Sequence, residues 1–234
     1  MEVEVTNDKF LEALFPPWEY IQAADTPLYE NVIIYGAQGM GKTTTWRYLV
    51  AKAREKYGPN RVNAVYSEDI EALLKYGLKS GKPIQILVAE DVTLSDPPDE
   101  AYKEFFTLRH KLDTGKGLVI TISTVHDFFC LKKFVRTYFQ FLLLNNAPTN
   151  QYDYYRIRQY VGKDMLEQLY ELTKLKHYDH DAKAYVGYWF LGTKGFIKVE
   201  PVPIHVIQIP PIEEDEIYTP FSKWDKVLKY VINK

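Results

Sequence analysis

Gly36-Ala37-Gln38-Gly39-Met40-Gly41-Lys42-Thr43 lies between the apolar run Val32-Ile33-Ile34-Tyr35 and a segment of helical character, Thr43 to Tyr57, closed by Gly58-Pro59. The eight residues fit the pattern G-x-x-x-x-G-K-[ST], and the strand before and helix after are the context in which that pattern carries chemistry. Its glycines let successive backbone N–H groups turn inward around a polyphosphate, and the N-terminus of the following helix adds the positive end of its dipole. Lys42 is then placed to reach the β and γ phosphates, and the Thr43 hydroxyl to ligate Mg²⁺. Gly36 to Thr43, with Thr44 on the first helical turn, are the expected phosphate-binding residues.

Working outward, runs of strand length alternate with longer amphipathic segments, the pattern of a parallel sheet covered by helices and hence of an α/β fold. Strands are expected at Val32 to Tyr35, Arg61 to Tyr66, Ile84 to Ala89, Leu118 to Ser123 and Tyr138 to Leu144. Helices are expected at Thr43 to Tyr57, Glu68 to Leu78, Asp99 to Leu112 and Asp127 to Arg136. Residues 1–31 read as a lead-in packed on the core, 32–145 as the core, and 146–234 as an extension on that core. In the extension, Tyr154 to Gly162 and Lys163 to Lys176 read as helices. Ala184 to Leu191 and Phe196 to Glu200 flank Gly192-Thr193-Lys194-Gly195 as a β-hairpin, and a last helix falls near Phe221 to Ile232.

A chain of 234 residues with 46% hydrophobic and 26% charged side chains has the composition of an ordinary globular protein. Its one cysteine, Cys130, excludes an internal disulfide and a thiolate metal cluster, so an intracellular, cytoplasmic setting is expected. The N-terminus lacks the basic start and apolar run of a signal peptide, and no apolar stretch approaches the roughly 20 residues needed to span a bilayer. A net charge of -2 argues against a surface that grips phosphate backbones all over, while leaving room for a local basic patch.

The segment Ile84-Gln85-Ile86-Leu87-Val88-Ala89-Glu90-Asp91 is an apolar strand ending in two carboxylates, 48 residues beyond Lys42. It resembles a Walker B strand, in which one carboxylate holds the metal, usually through water, and the next orients or deprotonates the attacking water. Related families usually read Asp then Glu, whereas this chain reads Glu90 then Asp91. By position Glu90 is the metal-side residue and Asp91 the catalytic one; by side-chain type the roles reverse.

Together, loop and acidic strand resemble the P-loop nucleoside triphosphatases, a three-layer sandwich around a mainly parallel five-stranded sheet. The extra strands at Arg61 to Tyr66 and Leu118 to Thr124 resemble the branch with an additional strand and a catalytic acid. In that branch the strand tipped by Ser123 or Thr124 inserts between the P-loop and acidic strands and senses the γ-phosphate. The competing reading of Thr124-Val125-His126-Asp127 is a capping box for the next helix. No N-K-x-D guanine-reading sequence is present, so ATP is the expected nucleotide.

The order of strands, with Lys132-Lys133-Phe134-Val135-Arg136 between the fourth and fifth, resembles the HerA and FtsK group, which includes viral genome-packaging and conjugation ATPases. That resemblance implies a homo-oligomeric ring, commonly a hexamer, acting on DNA, with Arg136 or Arg109 entering the neighbouring subunit's site. Two alternatives stay open: an assembly ATPase that switches a protein partner, and an initiator or helicase loader of the AAA+ type. Tyr152 to Tyr160 mixes aromatic and basic side chains, as single-strand binding surfaces, subunit interfaces and packed helices do. His177-Tyr178-Asp179-His180-Asp181 reads as a polar loop, since it lacks the spacing of a metal motif.

Overall fold

The structure is a computed structural model. It describes residues 7–79, 81–92, 97–108, 116–145, 148, 150–164, 166–167, 178–179, 184–185, 188–191, 196–198 and 202–203. Arg109, His177, His180, Asp181, the hairpin tip Thr193-Lys194-Gly195 and the expected helix near Phe221 to Ile232 lie outside the described residues.

Helices α1 (Asn7–Leu14) and α2 (Trp18–Ala23) lead into β1 (Leu28–Tyr35), followed by α3 (Lys42–Tyr57), β2 (Val62–Ser67), α4 (Ile70–Tyr76) and β3 (Ile84–Ala89). Then come α5 (Asp99–Phe105), β4 (Leu118–Val125), the short α6 (Val135–Tyr138), β5 (Phe141–Leu144) and α7 (Gln151–Val161). Five further short strands follow: β6 (Tyr178–Asp179), β7 (Ala184–Tyr185), β8 (Tyr188–Leu191), β9 (Phe196–Lys198) and β10 (Val202–Pro203). The main sheet runs β2-β3-β4-β1-β5-β8-β9. Its first five strands are parallel, and β8 and β9 continue it in antiparallel pairing, so the expected hairpin extends the sheet edge. Ala184-Tyr185 departs from that expectation: it is a separate strand, paired with β6 and β10.

Both faces of the parallel sheet are covered, as continuous apolar strands require. Along β1, Val32 and Ile34 pack with Trp46, Leu49, Val50 and Ala53 of α3, while Ile33 and Tyr35 pack with Leu73, Phe105 and Phe128 on the opposite face. Leu14, Phe15 and Ile21 of the lead-in bury in the α3 layer. There Tyr57 donates its hydroxyl to the Pro16 carbonyl at 2.6 Å.

Strand β1 begins earlier than its apolar run suggests because buried Asn31 is satisfied across the sheet. Its side-chain amide donates to the Tyr138 carbonyl at 3.2 Å, and its carbonyl oxygen accepts from the Thr121 hydroxyl at 3.2 Å. The expected helix from Asp127 to Arg136 does not form. Asp127 Oδ1 instead accepts the backbone N–H groups of Phe129 and Cys130, and the Phe129 N–H is also drawn to Asp153 of α7 at 2.6 Å. Such local and tertiary acceptors compete with helix formation, and the segment turns twice before α6.

Candidate nucleotide site

Strand β1 ends at Tyr35, the chain turns through 36–41, and α3 starts at Lys42, so the glycine-rich loop wraps a helix N-terminus. Gly39 and Gly41 both take φ of 78°, a left-handed backbone that glycine adopts without steric cost. The loop is braced from β5: Asn145 donates through Nδ2 to the Met40 carbonyl at 2.8 Å and to the Thr45 hydroxyl at 3.1 Å. Together the loop and the ends of β3 and β4 enclose a cleft of about 680 Å³ lined by Gln38, Gly39, Lys42, Thr43, Asp91 and His126 among others.

Strand β4 lies between β1 and β3, pairing with both. With Ala89 opposite Ser123, the next residues, Glu90 and Thr124, come level at the carboxyl ends of the strands. Thr124 Oγ1 accepts the Asp91 backbone N–H at 2.9 Å, holding Asp91 in a left-handed conformation with φ of 49°. This contact corrects the capping-box alternative: the hydroxyl serves the acidic strand end and caps no helix. Ser123 is fully buried, and among the described residues its hydroxyl has no hydrogen-bond partner.

The two carboxylates divide the site. Glu90 Oε1 accepts the Thr43 hydroxyl at 2.8 Å and the Trp46 indole N–H at 2.6 Å. Asp91 Oδ1 lies 2.7 Å from His126 Nε2, and His126 Nδ1 lies 3.0 Å from Lys42 Nζ. Lys42 Nζ also lies 3.3 Å from Nε2, and the neutral tautomer with Nε2–H directed at Asp91 leaves Nδ1 as the acceptor for Lys42. Lys42 also donates to the carbonyls of Gly36 at 2.9 Å and Ala37 at 3.2 Å.

Burial pulls the Lys42 ammonium below its ordinary pKa, with Asp91 and then Glu90 opposing the shift. Burial followed by the Lys42 charge lowers His126, against the pull of Asp91. Glu68, just past β2, is pushed up by burial and by the charges of Asp91 and Glu90, and its buried Oε2 has no hydrogen-bond partner among the described residues. The site is thus a cation ringed by acids in a partly desolvated cleft, where charge interactions are stronger than in water.

The Thr43 hydroxyl and Glu90 carboxylate are adjacent hard-oxygen donors of the kind Mg²⁺ takes alongside phosphate oxygens and water. Arg136 stands apart from this group. It is 8% exposed, and its guanidinium donates to the Phe129 carbonyl at 3.4 Å. Sequence reasoning brought Lys42, Thr43, Glu90, Asp91 and Thr124 to one place but did not single out His126, Trp46, Glu68 or Asn145. His126, Glu68 and Asn145 stand just past the ends of strands far apart in the chain, and Trp46 of α3 joins through its bond to the remote Glu90, which no local pattern displays.

The phosphate-type loop, the acidic strand and the strand inserted between them give this chain an α/β fold of the P-loop NTPase type. A solved structure to which it is similar is the genome packaging NTPase B204 of Sulfolobus turreted icosahedral virus 2 in complex with ATP-gammaS. The two share 10% identity at a TM-score of 0.53, over 74% of this chain and 97% of that one. The same viral protein in complex with AMPPCP aligns at a TM-score of 0.52 and 10% identity, over 74% of this chain and 98% of that one. No family model matches the sequence. No curated protein matches it either. Among the described residues no helix is long and apolar enough to cross a membrane.

Proposed function

We propose that this chain binds ATP with Mg²⁺ in the cleft beside Lys42 and hydrolyses it, as the ATPase of a homo-oligomeric motor acting on DNA. The observation that carries the reading is the linked set Thr43–Glu90 and Lys42–His126–Asp91 around the glycine-rich loop, joined through strands distant in sequence. Loop N–H groups and the α3 N-terminus bind the phosphates, and Lys42 exchanges its carbonyl partners for the β and γ oxygens. Thr43 and Glu90 would hold Mg²⁺, which when bound neutralises charge developing on the transferred phosphoryl group. This assignment follows position in preference to side-chain type.

Asp91 then orients the attacking water and accepts its proton, a contribution of about 10²- to 10⁴-fold. Thr124 fixes the Asp91 backbone and His126 its carboxylate, so the base needs little reorganisation as the reaction proceeds. Arg136 is the candidate to act in a neighbouring subunit's site, which requires its release from the Phe129 carbonyl.

The DNA role draws on the similarity to a viral protein described as a genome packaging NTPase. Steady-state hydrolysis of Mg²⁺-ATP, alone and with single- or double-stranded DNA, tests it. Turnover that DNA raises and Lys42→Ala abolishes supports the motor; turnover indifferent to DNA but raised by a protein partner replaces it with a protein-switching ATPase.

A further inference from the structure

The turn after β4 and the first turns of α7 present aromatic rings and a guanidinium to solvent. Tyr152 is 68% exposed, Tyr155 50% and Phe129 42%. The Phe129 and Tyr152 ring centroids lie 5.3 Å apart, and the Arg156 guanidinium sits 5.3 Å from the Phe129 centroid. Large rings grouped at a surface mark an interaction site more strongly than scattered ones.

The charged groups beside these rings are Arg156 and two carboxylates that are each engaged locally, Asp153 and Asp127. Asp153 is turned inward: it is fully buried, taking the Phe129 N–H at 2.6 Å and the Asn150 side-chain amide at 2.9 Å. Asp127 is half-buried, and its oxygens accept the N–H groups of Phe129 and Cys130 and the Cys130 thiol. Among the described residues neither Arg156 nor Arg136 has a carboxylate partner, and the buried Arg136 Nε has no partner at all. The two arginines are close enough that Arg156 helps to lower the pKa of Arg136, after burial as the main cause.

Exposed aromatic rings beside a guanidinium that has no carboxylate partner among the described residues suit a ligand of flat rings strung on an anionic backbone. A duplex hides its base faces by stacking, whereas a single strand offers them. We propose that Phe129, Tyr152 and Arg156 form a docking platform for single-stranded nucleic acid, the rings stacking on bases and the guanidinium drawing the backbone. The platform rests on the DNA-handling reading above and names the form of nucleic acid it takes. It adjoins the nucleotide cleft, since Phe129 lies three residues beyond His126, which touches both Lys42 and Asp91.

The test is fluorescence anisotropy of a labelled oligothymidylate and of a duplex of equal length, without nucleotide, on wild type, Phe129→Ala, Tyr152→Ala, Tyr152→Phe and Arg156→Ala. The platform predicts single-strand binding weakened about 5- to 150-fold by each ring-to-alanine change and retained by Tyr152→Phe. The high exposure of Tyr152 keeps that variant folded even where Phe129→Ala is not. Absent binding, binding unmoved by Tyr152→Ala and Arg156→Ala, or preference for duplex overturns it. A drop in assembly mass by light scattering for Tyr152→Ala, without loss of oligothymidylate binding, also overturns it and assigns the patch to contact between copies. Basal ATP hydrolysis measured on the same samples separates the readings: a protein that binds the strand but does not hydrolyse ATP keeps the platform and loses the ATPase.

Discussion

His126 Nε2 lies 2.7 Å from Asp91 Oδ1, and Lys42 Nζ lies beside the same ring, 3.0 Å from Nδ1 and 3.3 Å from Nε2. One imidazole therefore spans the cation that meets the phosphates and the acid placed to activate water. A γ-phosphate that draws Lys42 away removes one of its partners and leaves the other, so the ring's remaining task is to orient Asp91. His126→Ala should lower kcat about 10- to 100-fold, the scale of one hydrogen bond to a charged group, with little change in KM. His126→Gln, which keeps a donor, should recover part of the loss. A raised KM at unchanged kcat would instead place His126 in substrate binding.

Glu90 and Asp91 are adjacent in sequence but contact different partners, Thr43 and Trp46 for one, His126 for the other. Asp91→Asn should cut kcat about 10²- to 10⁴-fold while nucleotide affinity persists. Glu90→Gln should raise the Mg²⁺ concentration needed for half-maximal activity about 10- to 100-fold. Titrating Mg²⁺ in both variants checks the division; interchange of the two effects would restore the assignment by side-chain type.

The Cys130 thiol contacts Asp127 Oδ2 at 3.2 Å, and burial together with that carboxylate pushes its pKa up to about 11. Thiolate is the reactive form and is scarce below that value. Alkylation by iodoacetamide should therefore be slow at pH 8, rise through pH 10 to 11, and shift to lower pH in Asp127→Asn. A rate already at its plateau by pH 9 would contradict the contact.

Gly77 closes α4, and a Cβ there would press on the Leu73 carbonyl and come within 2.8 Å of Leu87 Cδ2. Its carbonyl also accepts from buried Asn63 at 2.6 Å, which ties the helix end to β2. Gly77→Ala should destabilise the protein by about 1–3 kcal/mol in urea unfolding, the usual cost of overpacking. A midpoint equal to wild type would show that the α4 end yields without cost.

The residues legible in the sequence are those whose role follows from local order. The glycine-rich loop had to bend after β1 and before α3, and Glu90-Asp91 had to stand at the end of an apolar strand. The insertion of β4 between β1 and β3 came only from family resemblance, and pairing bears it out. His126 read as part of a capping box because its neighbours in space, Asp91 and Lys42, are remote in the chain. The missing helix after Asp127 has a like cause: Asp153, on another element, takes the Phe129 N–H. Buried Asn31 made the start of β1 look like loop, since its partners Thr121 and Tyr138 lie on other elements.

The central claim is that one cleft binds the triphosphate through Lys42 and cleaves it through Asp91. Nucleotide affinity and single-turnover hydrolysis, measured side by side for wild type, Lys42→Ala and Asp91→Asn, test it most directly. The account predicts that Lys42→Ala loses both affinity and cleavage, while Asp91→Asn binds as wild type does and cleaves at least about 10²-fold more slowly. Wild-type cleavage surviving in Lys42→Ala would contradict it.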